Sequence, residues 1–259
     1  MKNNLQAKQL TVHIANHTVC RDLNFMLKAG DICGILGPNG SGKTTLLHTL
    51  AHLHPLSDGE IFLNEQPLNH QKPKAIAQQL GILFQDTTAI FSQTVLEFCL
   101  TGRHPHLSRL AFESVTDKHI ANAALTLLQL DKKLSQKVHT LSGGERRRLA
   151  IATLLTQAPQ IYLLDEPMNH LDIRHQMLIL QHFKHLAAIK SATVLMSLHD
   201  INIAQQFCSQ ILLLFGDGTS LHGTPKDVLT EENLTRLYQH PLKSHVLGAQ
   251  QFWLPELTI

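Results

Sequence analysis

Gly37-Pro38-Asn39-Gly40-Ser41-Gly42-Lys43-Thr44 sets glycines, a lysine and a threonine at the spacing Gly-x-x-x-x-Gly-Lys-Thr. The glycines allow tight turns and close approach, so several backbone N–H groups point into one concavity that suits a phosphate. The positive end of a following helix adds to the same field. Lys43 is placed to reach the outer phosphate oxygens, Thr44 to offer its hydroxyl to Mg²⁺, and Thr45 to continue the cradle into the helix. These residues predict a site for ATP with Mg²⁺.

Such a cradle needs an acidic partner at the end of another buried strand. Ile161-Tyr162-Leu163-Leu164-Asp165-Glu166 provides four apolar residues followed by two carboxylates. Adjacent acids behind a buried strand are costly unless they meet a cation or a reacting group. Asp165 is expected to hold Mg²⁺, directly or through water. Glu166, one residue further, is placed to polarise the attacking water.

The elements that must position these groups follow from apolar periodicity. Asp31–Leu36 reads as a buried strand, and Leu46, Leu47, Leu50 and Leu53 mark a helix from Thr44 to Leu53. Strand, glycine loop and helix stand in the required order. Alternating runs at 8–14 and 19–27, separated by Asn16-His17, read as an antiparallel hairpin. Glu60–Leu63 reads as a further edge strand and Gly81–Gln85 as a short one. From about 91 to 158 the pattern is helical: Val95–Leu100, Ile120–Leu130 and Glu145–Thr156. Strands return at Gln160–Leu164, Thr193–Leu198 and Ile211–Phe215, with helices near 172–190 and 200–208. The tail from Pro225 reads as small helices and turns. The fold class is α/β: a P-loop NTPase (RecA-like) core with an antiparallel β subdomain and an inserted α-helical subdomain.

Composition narrows the setting. A chain of 259 residues can bury a sizeable core and suits a single domain, 1–259, with an inserted helical subdomain at 86–158. The net charge of +2 gives no electrostatic case for nucleic acid. Arg146-Arg147-Arg148, the densest basic run, reads as a solvated helix face. Cys20, Cys33, Cys99 and Cys208 are scattered and fit a reducing compartment. No apolar run reaches the roughly 20 residues that span a bilayer, and none follows Met1-Lys2-Asn3-Asn4 to make a signal peptide, so a soluble chain is expected. His182 and His185 are the nearest approach to a helical ligand pair, but they lack a third ligand and read as surface histidines.

Leu141-Ser142-Gly143-Gly144-Glu145 closely resembles the signature of ATP-binding cassette (ABC) ATPases, 20 residues before Asp165 as in that family. Ser142, Gly143 and Gly144 form an open loop at a helix start, a second place for an anion. The resemblance extends over about residues 8–245. It implies that Gln85 approaches Mg²⁺ and the attacking water, that His199 hydrogen-bonds the γ-phosphate, and that Asp172 lies at a dimer seam. Two positions depart from the family pattern. Ile14 stands where an aromatic usually stacks on adenine, with His13 or His17 nearby, and Met168 replaces the usual threonine or serine.

Within the family the chain is most similar to ATPases of importers for metal chelates: iron–siderophore, haem and cobalamin systems. Thr94-Val95, Gly102-Arg103-His104-Pro105-His106, Leu198-His199-Asp200-Ile201-Asn202 and Gly223-Thr224-Pro225 carry that similarity. It implies a head-to-tail homodimer with two ATP molecules between the chains, and two transmembrane permease subunits. It further implies a periplasmic or lipid-anchored substrate-binding protein and a place on the cytoplasmic face of the inner membrane. Phe91, Val95 and Arg103–His106 are the expected permease contacts or their supports. The other readings are an exporter subunit, a non-transport ABC ATPase of DNA repair or translation, and a nucleotide-gated module without turnover. The long insertions or second cassette of the repair and translation types are absent from the sequence, and the last reading conflicts with Lys43, Glu166 and His199.

Overall fold

A computed structural model describes residues 4–15, 17–85, 92–108, 111–248 and 250–256. The chain opens with β1 (Leu5–Ile14) and β2 (His17–Leu27), paired antiparallel. β3 (Ile32–Leu36), buried at every residue, feeds the glycine loop and α1 (Lys43–Leu50). β4 (Asp58–Leu63) and the two-residue β5 (Gln66–Pro67) extend the first sheet to the order β2-β1-β4-β5. β4 is therefore an inner strand of that sheet rather than an edge. α2 (Pro73–Gln79) leads into β6 (Leu80–Leu83).

Three helices come before the next strand: α3 (Val95–Leu100), α4 (Val115–Leu127) and α5 (Gly143–Gln157). Each starts with a reciprocal cap, formed by Thr94 with Glu97, Ser114 with Asp117, and Ser142 with Glu145. The cap at Ser114 explains why α4 begins five residues ahead of the apolar pattern at Ile120. β7 (Ile161–Leu164), α6 (Ile173–Lys190), β8 (Thr193–Ser197), α7 (Ile201–Phe207), β9 (Gln210–Leu214) and β10 (Ser220–Gly223) complete the second sheet. Its order is β10-β9-β3-β8-β7-β6, all parallel except β10.

The parallel strands are apolar at successive residues because both faces are covered. Cys33, Ile35, Ile161, Leu163 and Leu195 face α1 and the antiparallel sheet, packing with Leu46, Leu47 and Leu50. Ile32, Leu36, Tyr162, Leu164, Val194 and Met196 face the opposite core, with α5 and α6. α1 stops at Leu50, and Leu53 is 54% exposed instead of continuing the apolar stripe. His52, in the left-handed region at φ 60°, turns the chain away.

The tail differs from its reading as small helices and turns. α8 (Pro225–Val228) and α9 (Glu231–Tyr238) precede a hairpin of β11 (Leu242–Leu247) and β12 (Gln250–Pro255). Among the described residues of that hairpin, only Leu242 and Trp253 are buried apolar residues, so its sequence lacks the strong alternation of a core strand. Among the described residues, no helix is long and apolar enough to cross a membrane.

Phe183 of α6 is fully buried and meets Tyr162 of β7 edge-on, ring centroids 5.4 Å apart. This contact seats the strand that ends in Asp165. Phe183→Ala should cost about 3–5 kcal/mol of unfolding free energy. Urea denaturation with an unchanged m-value would check it, and a loss below about 1 kcal/mol would show that the contact does not anchor β7.

Candidate functional site

Four loops leave the same, carboxyl, edge of the parallel sheet: after β3, β6, β7 and β8. Ligands of open α/β sheets bind beyond this edge because strand ends and helix starts converge there. The loop after β3 holds Gly42 at φ +93°, and a Cβ on it would lie 2.6 Å from Val19. Glycine is thus required on both conformational and steric grounds. α1 begins at the next residue, and no side chain caps its N-terminus. Its first N–H groups therefore face the loop concavity.

Lys43 folds back over the loop, its Nζ donating to the carbonyls of Gly37 (2.7 Å) and Pro38 (3.1 Å). The residue is only 6% exposed. Burial pulls its ammonium below the usual lysine pKa, and the carboxylates of Glu166 and Asp165 oppose that pull. The adjoining cleft, about 530 Å³, is lined by Asn39, Gly40, Gly42, Lys43, Thr44, Thr45, Gln85, Glu166, Asn169 and His199. Ile14 and His17 line its far side. His13 does not, and its Nδ1 pairs instead with the Thr18 hydroxyl at 3.0 Å.

Asp165 is fully buried. Its Oδ1 accepts a hydrogen bond from the Ser197 hydroxyl at 2.7 Å, whereas Oδ2 is buried with no hydrogen-bond partner among the described residues. A buried carboxylate oxygen without a donor suits a hard cation such as Mg²⁺. Glu166 sits at φ 46°, a strained backbone for a residue with a side chain. Its N–H donates to Ser197 Oγ at 2.7 Å. Its carboxylate gathers three partners: His199 Nε2 at 2.8 Å on Oε1, and on Oε2 both Gln85 Nε2 at 3.1 Å and the Asn169 amide.

The cleft thus brings together Gln85, Glu166, His199, Lys43, Thr44 and Thr45, with Asp165 behind them. It does not include Ser142, Gly143, Gly144 or Asp172. Ser142 caps α5 and is exposed with Gly143, while a Cβ on Gly144 would lie 2.9 Å from the His170 carbonyl. Asp172 caps α6, accepting from His175 N (2.9 Å) and His175 Nδ1 (2.8 Å), and these bonds hold its carboxyl below the usual range. Pro38 and Ser41 belong to the loop but do not line the cleft.

Three residues that matter here escaped the motif reading. Ser197 is a hydroxyl at the end of an apolar strand, and its burial there is the signal that it serves a neighbour. Asn169 lies in the stretch containing Asp172 but had no assigned task. Arg147 overturns the reading of a solvated basic run: it is 4% exposed, and its guanidinium enters the protein. Its position follows from α5, whose buried face includes 147, 150, 151 and 154.

A second cavity of about 470 Å³, more apolar, lies between the end of α1, α2, β6 and α5. Leu53, Ile76, Phe84 and Pro105 line it. Val95 is fully buried and does not line this cavity, and Arg103 is tied by its Nε to Asp117 at 2.7 Å. Phe91 lies outside the described residues.

Comparison with known proteins agrees with this geometry. A profile of the family described as ABC transporter matches residues 20–169. The ferric enterobactin transport ATP-binding protein of Escherichia coli (strain K12) is 35% identical over 90% of this chain and 86% of its own length. The hemin import ATP-binding protein of Pseudomonas fluorescens (strain Pf0-1) is 35% identical over 94% of this chain and 98% of its own. A metal-chelate type ABC transporter solved in an inward-facing conformation superposes with a TM-score of 0.85 at 29% identity, covering 99% and 98% of the two chains. With more than half of its length matching that profile, the chain belongs to the ABC transporter family, in which it is an ATP-hydrolysing subunit.

Proposed function

We propose that this chain powers import of a metal chelate, an iron–siderophore, haem or cobalamin complex, through a partner membrane permease. The carrying observation is the meeting of Lys43, Gln85, Glu166 and His199 in one cleft, in a chain whose relatives serve siderophore and haem transport. Residues 86–158 are read as the helical unit of a single nucleotide-binding domain.

In this reading the loop amides and Lys43 neutralise the β- and γ-phosphates of ATP. Asp165 Oδ2, the Thr44 hydroxyl and Gln85 would hold Mg²⁺, which supplies further neutralisation of phosphate oxygens. Glu166 orients the attacking water and draws on its proton as the water oxygen bonds to the γ-phosphorus and the β–γ bridging bond breaks. His199, already 2.8 Å from Glu166, turns a donor to the γ-phosphate. Ile14 and His17 take the adenine side.

A second copy supplies what the cleft lacks. Its Ser142–Gly144 loop would cover this chain's phosphates head to tail, with Asp172 and the 78% exposed Ile173 at the seam. On each of the two copies, the apolar groove bounded by Leu53, Ile76 and Phe84 offers a seat for a short cytoplasmic helix of one permease subunit. Docked there, the pair of ATPase subunits lies on the cytoplasmic face of the inner membrane. A periplasmic or lipid-anchored protein delivers cargo to the permease from the other side.

Reconstitution with permease and binding protein in vesicles tests the import reading. ATP inside should drive uptake of radiolabelled ferric siderophore, haem or cobalamin. ATP turnover with no uptake of any of the three would reject it. Glu166→Gln should keep ATP binding and lose at least about a hundredfold in turnover, in line with the loss of a positioned base. Steady hydrolysis near the wild-type rate would remove its assigned role. Lys43→Ala should weaken nucleotide affinity by on the order of tenfold or more, read by titrating a fluorescent ATP analogue. Ser197→Ala strips the hydroxyl shared by Asp165 and Glu166. It should raise the Mg²⁺ concentration for half-maximal ATPase by about tenfold, the cost of leaving two buried groups unpaired. An unchanged magnesium titration would show that Ser197 is only packing.

A further inference from the structure

Arg147 starts on α5, the helix that opens with Ser142–Gly144, and ends at the carboxyl edge of the parallel sheet. Its Nη1 donates to the carbonyls of Phe84 (2.5 Å) and Gln85 (3.2 Å). Its Nη2 donates to the carbonyls of Asp165 and Glu166, the latter at 2.7 Å. One planar fork therefore joins the ends of β6 and β7 and ties both to the signature helix. All four acceptors are backbone carbonyls, so the fork fixes the course of the main chain. It leaves the side chains of Gln85 and Glu166 available to other partners.

Glu166 shows why this matters. Its backbone is in the left-handed region, and it is held from both sides: N–H by Ser197 Oγ and C=O by Arg147 Nη2. Backbone strain of this kind persists only where neighbours over-determine it. Burying a guanidinium is itself costly without acceptors to meet its donors, and four carbonyl dipoles meet the donors of its two terminal nitrogens here. Lysine, a point charge on a flexible stem, could not span two carbonyl pairs in one plane.

We propose that Arg147 is a positioning residue of the ATPase site, holding the Glu166 backbone and the Gln85 turn as one unit and making that unit move with the signature helix. The inference rests on the ATPase reading above. Nucleotide engaged by Gln85 and Glu166 then biases α5, and displacement of α5 by a partner biases Glu166, since coupling is reciprocal.

Arg147→Lys and Arg147→Gln in the full chain test this. Each should bind trinitrophenyl-ATP within about twofold of wild type, because Lys43 and Thr44 are untouched. Each should lose tenfold or more in kcat with little change in KM, the pattern of an interaction that matters after binding. Hydrogen exchange supplies a readout that a brace would leave alone. In the wild type, Mg²⁺ and ATP should slow exchange at 80–85, at 164–166 and along 142–157 together. In the variants the response along 142–157 should vanish while that of the glycine loop remains. The proposal is overturned if either variant keeps wild-type kcat, or if its α5 response matches wild type. It is also overturned if lost kcat only tracks lost folded protein. Wild-type α5 amides silent to nucleotide overturn it even if neither variant folds. Wild-type protein that neither binds nor hydrolyses magnesium-ATP would remove the ATPase reading itself and this proposal with it; every other adverse result removes this proposal alone.

Discussion

The structure is organised around an electrostatic conflict: two adjacent carboxylates must stand beside a cleft built for polyphosphate. Asp165 is fully buried and the Glu166 side chain is only 12% exposed, and burying carboxyl groups is costly unless cations and donors meet them. Lys43 is the nearest answer. Its ammonium is itself penalised by burial and held up by these same two acids. Asp165 Oδ2, without a hydrogen-bond partner among the described residues, leaves room for one more cation. Everything else about the fold serves to bring these groups into a single place from distant parts of the sequence.

The parallel sheet does this. Because β3, β8, β7 and β6 are neighbours and run the same way, residues 43, 85, 166 and 199 arrive at one edge even though the α3–α5 segment separates 85 from 166 in sequence. The strands must be apolar on both faces for this to work, since α1 with the antiparallel sheet covers one side and α5 with α6 the other. The hairpin at the end of the chain adds support to the same edge. Asn202, in the first turn of α7 behind His199, pairs both its amide groups with the Trp253 backbone, and Gln205 accepts from the Trp253 indole. The helix that follows the histidine is thereby tied down by the tail.

What could be read from the residues alone is what depends on short-range chemistry. The glycine loop, the strand ending in two acids and the helix start at Ser142 each carry their meaning within about eight positions. The core strands were legible because burial on both faces leaves an unbroken apolar run. Most of the misses share a cause: they depend on neighbours far away in the sequence. Arg147 looks like one of three surface arginines until β6 and β7 are placed beneath it. Leu53 looks like the last rung of a helix until His52 turns the chain. The tail hairpin buries only Leu242 and Trp253 among its described apolar residues, too few to print an alternation. Ser197 had a signal, a hydroxyl where a fourth apolar residue would be ordinary, but its meaning needs Asp165 and Glu166 beside it.

A division of labour follows from which atoms bond to which. Gln85, Asn169 and His199 reach the Glu166 carboxylate through side chains, and such bonds can be exchanged for phosphate oxygens or water with little net change in bonding. Ser197 and Arg147 instead hold its N–H and C=O, bonds that no ligand replaces. The backbone of the acid is therefore fixed by the two cores, whereas its side-chain partners are interchangeable. That is the arrangement the proposed cycle requires, in which the acid would return to one place each turn while its neighbours respond to the nucleotide. The signature loop lies outside this cleft, and two paths lead from it to Glu166: the helix behind it, through Arg147, and the close approach of Gly144 to the His170 carbonyl in the loop that follows the acid. The helix that a second copy would touch and the strand that carries the acid are thus joined by one side chain.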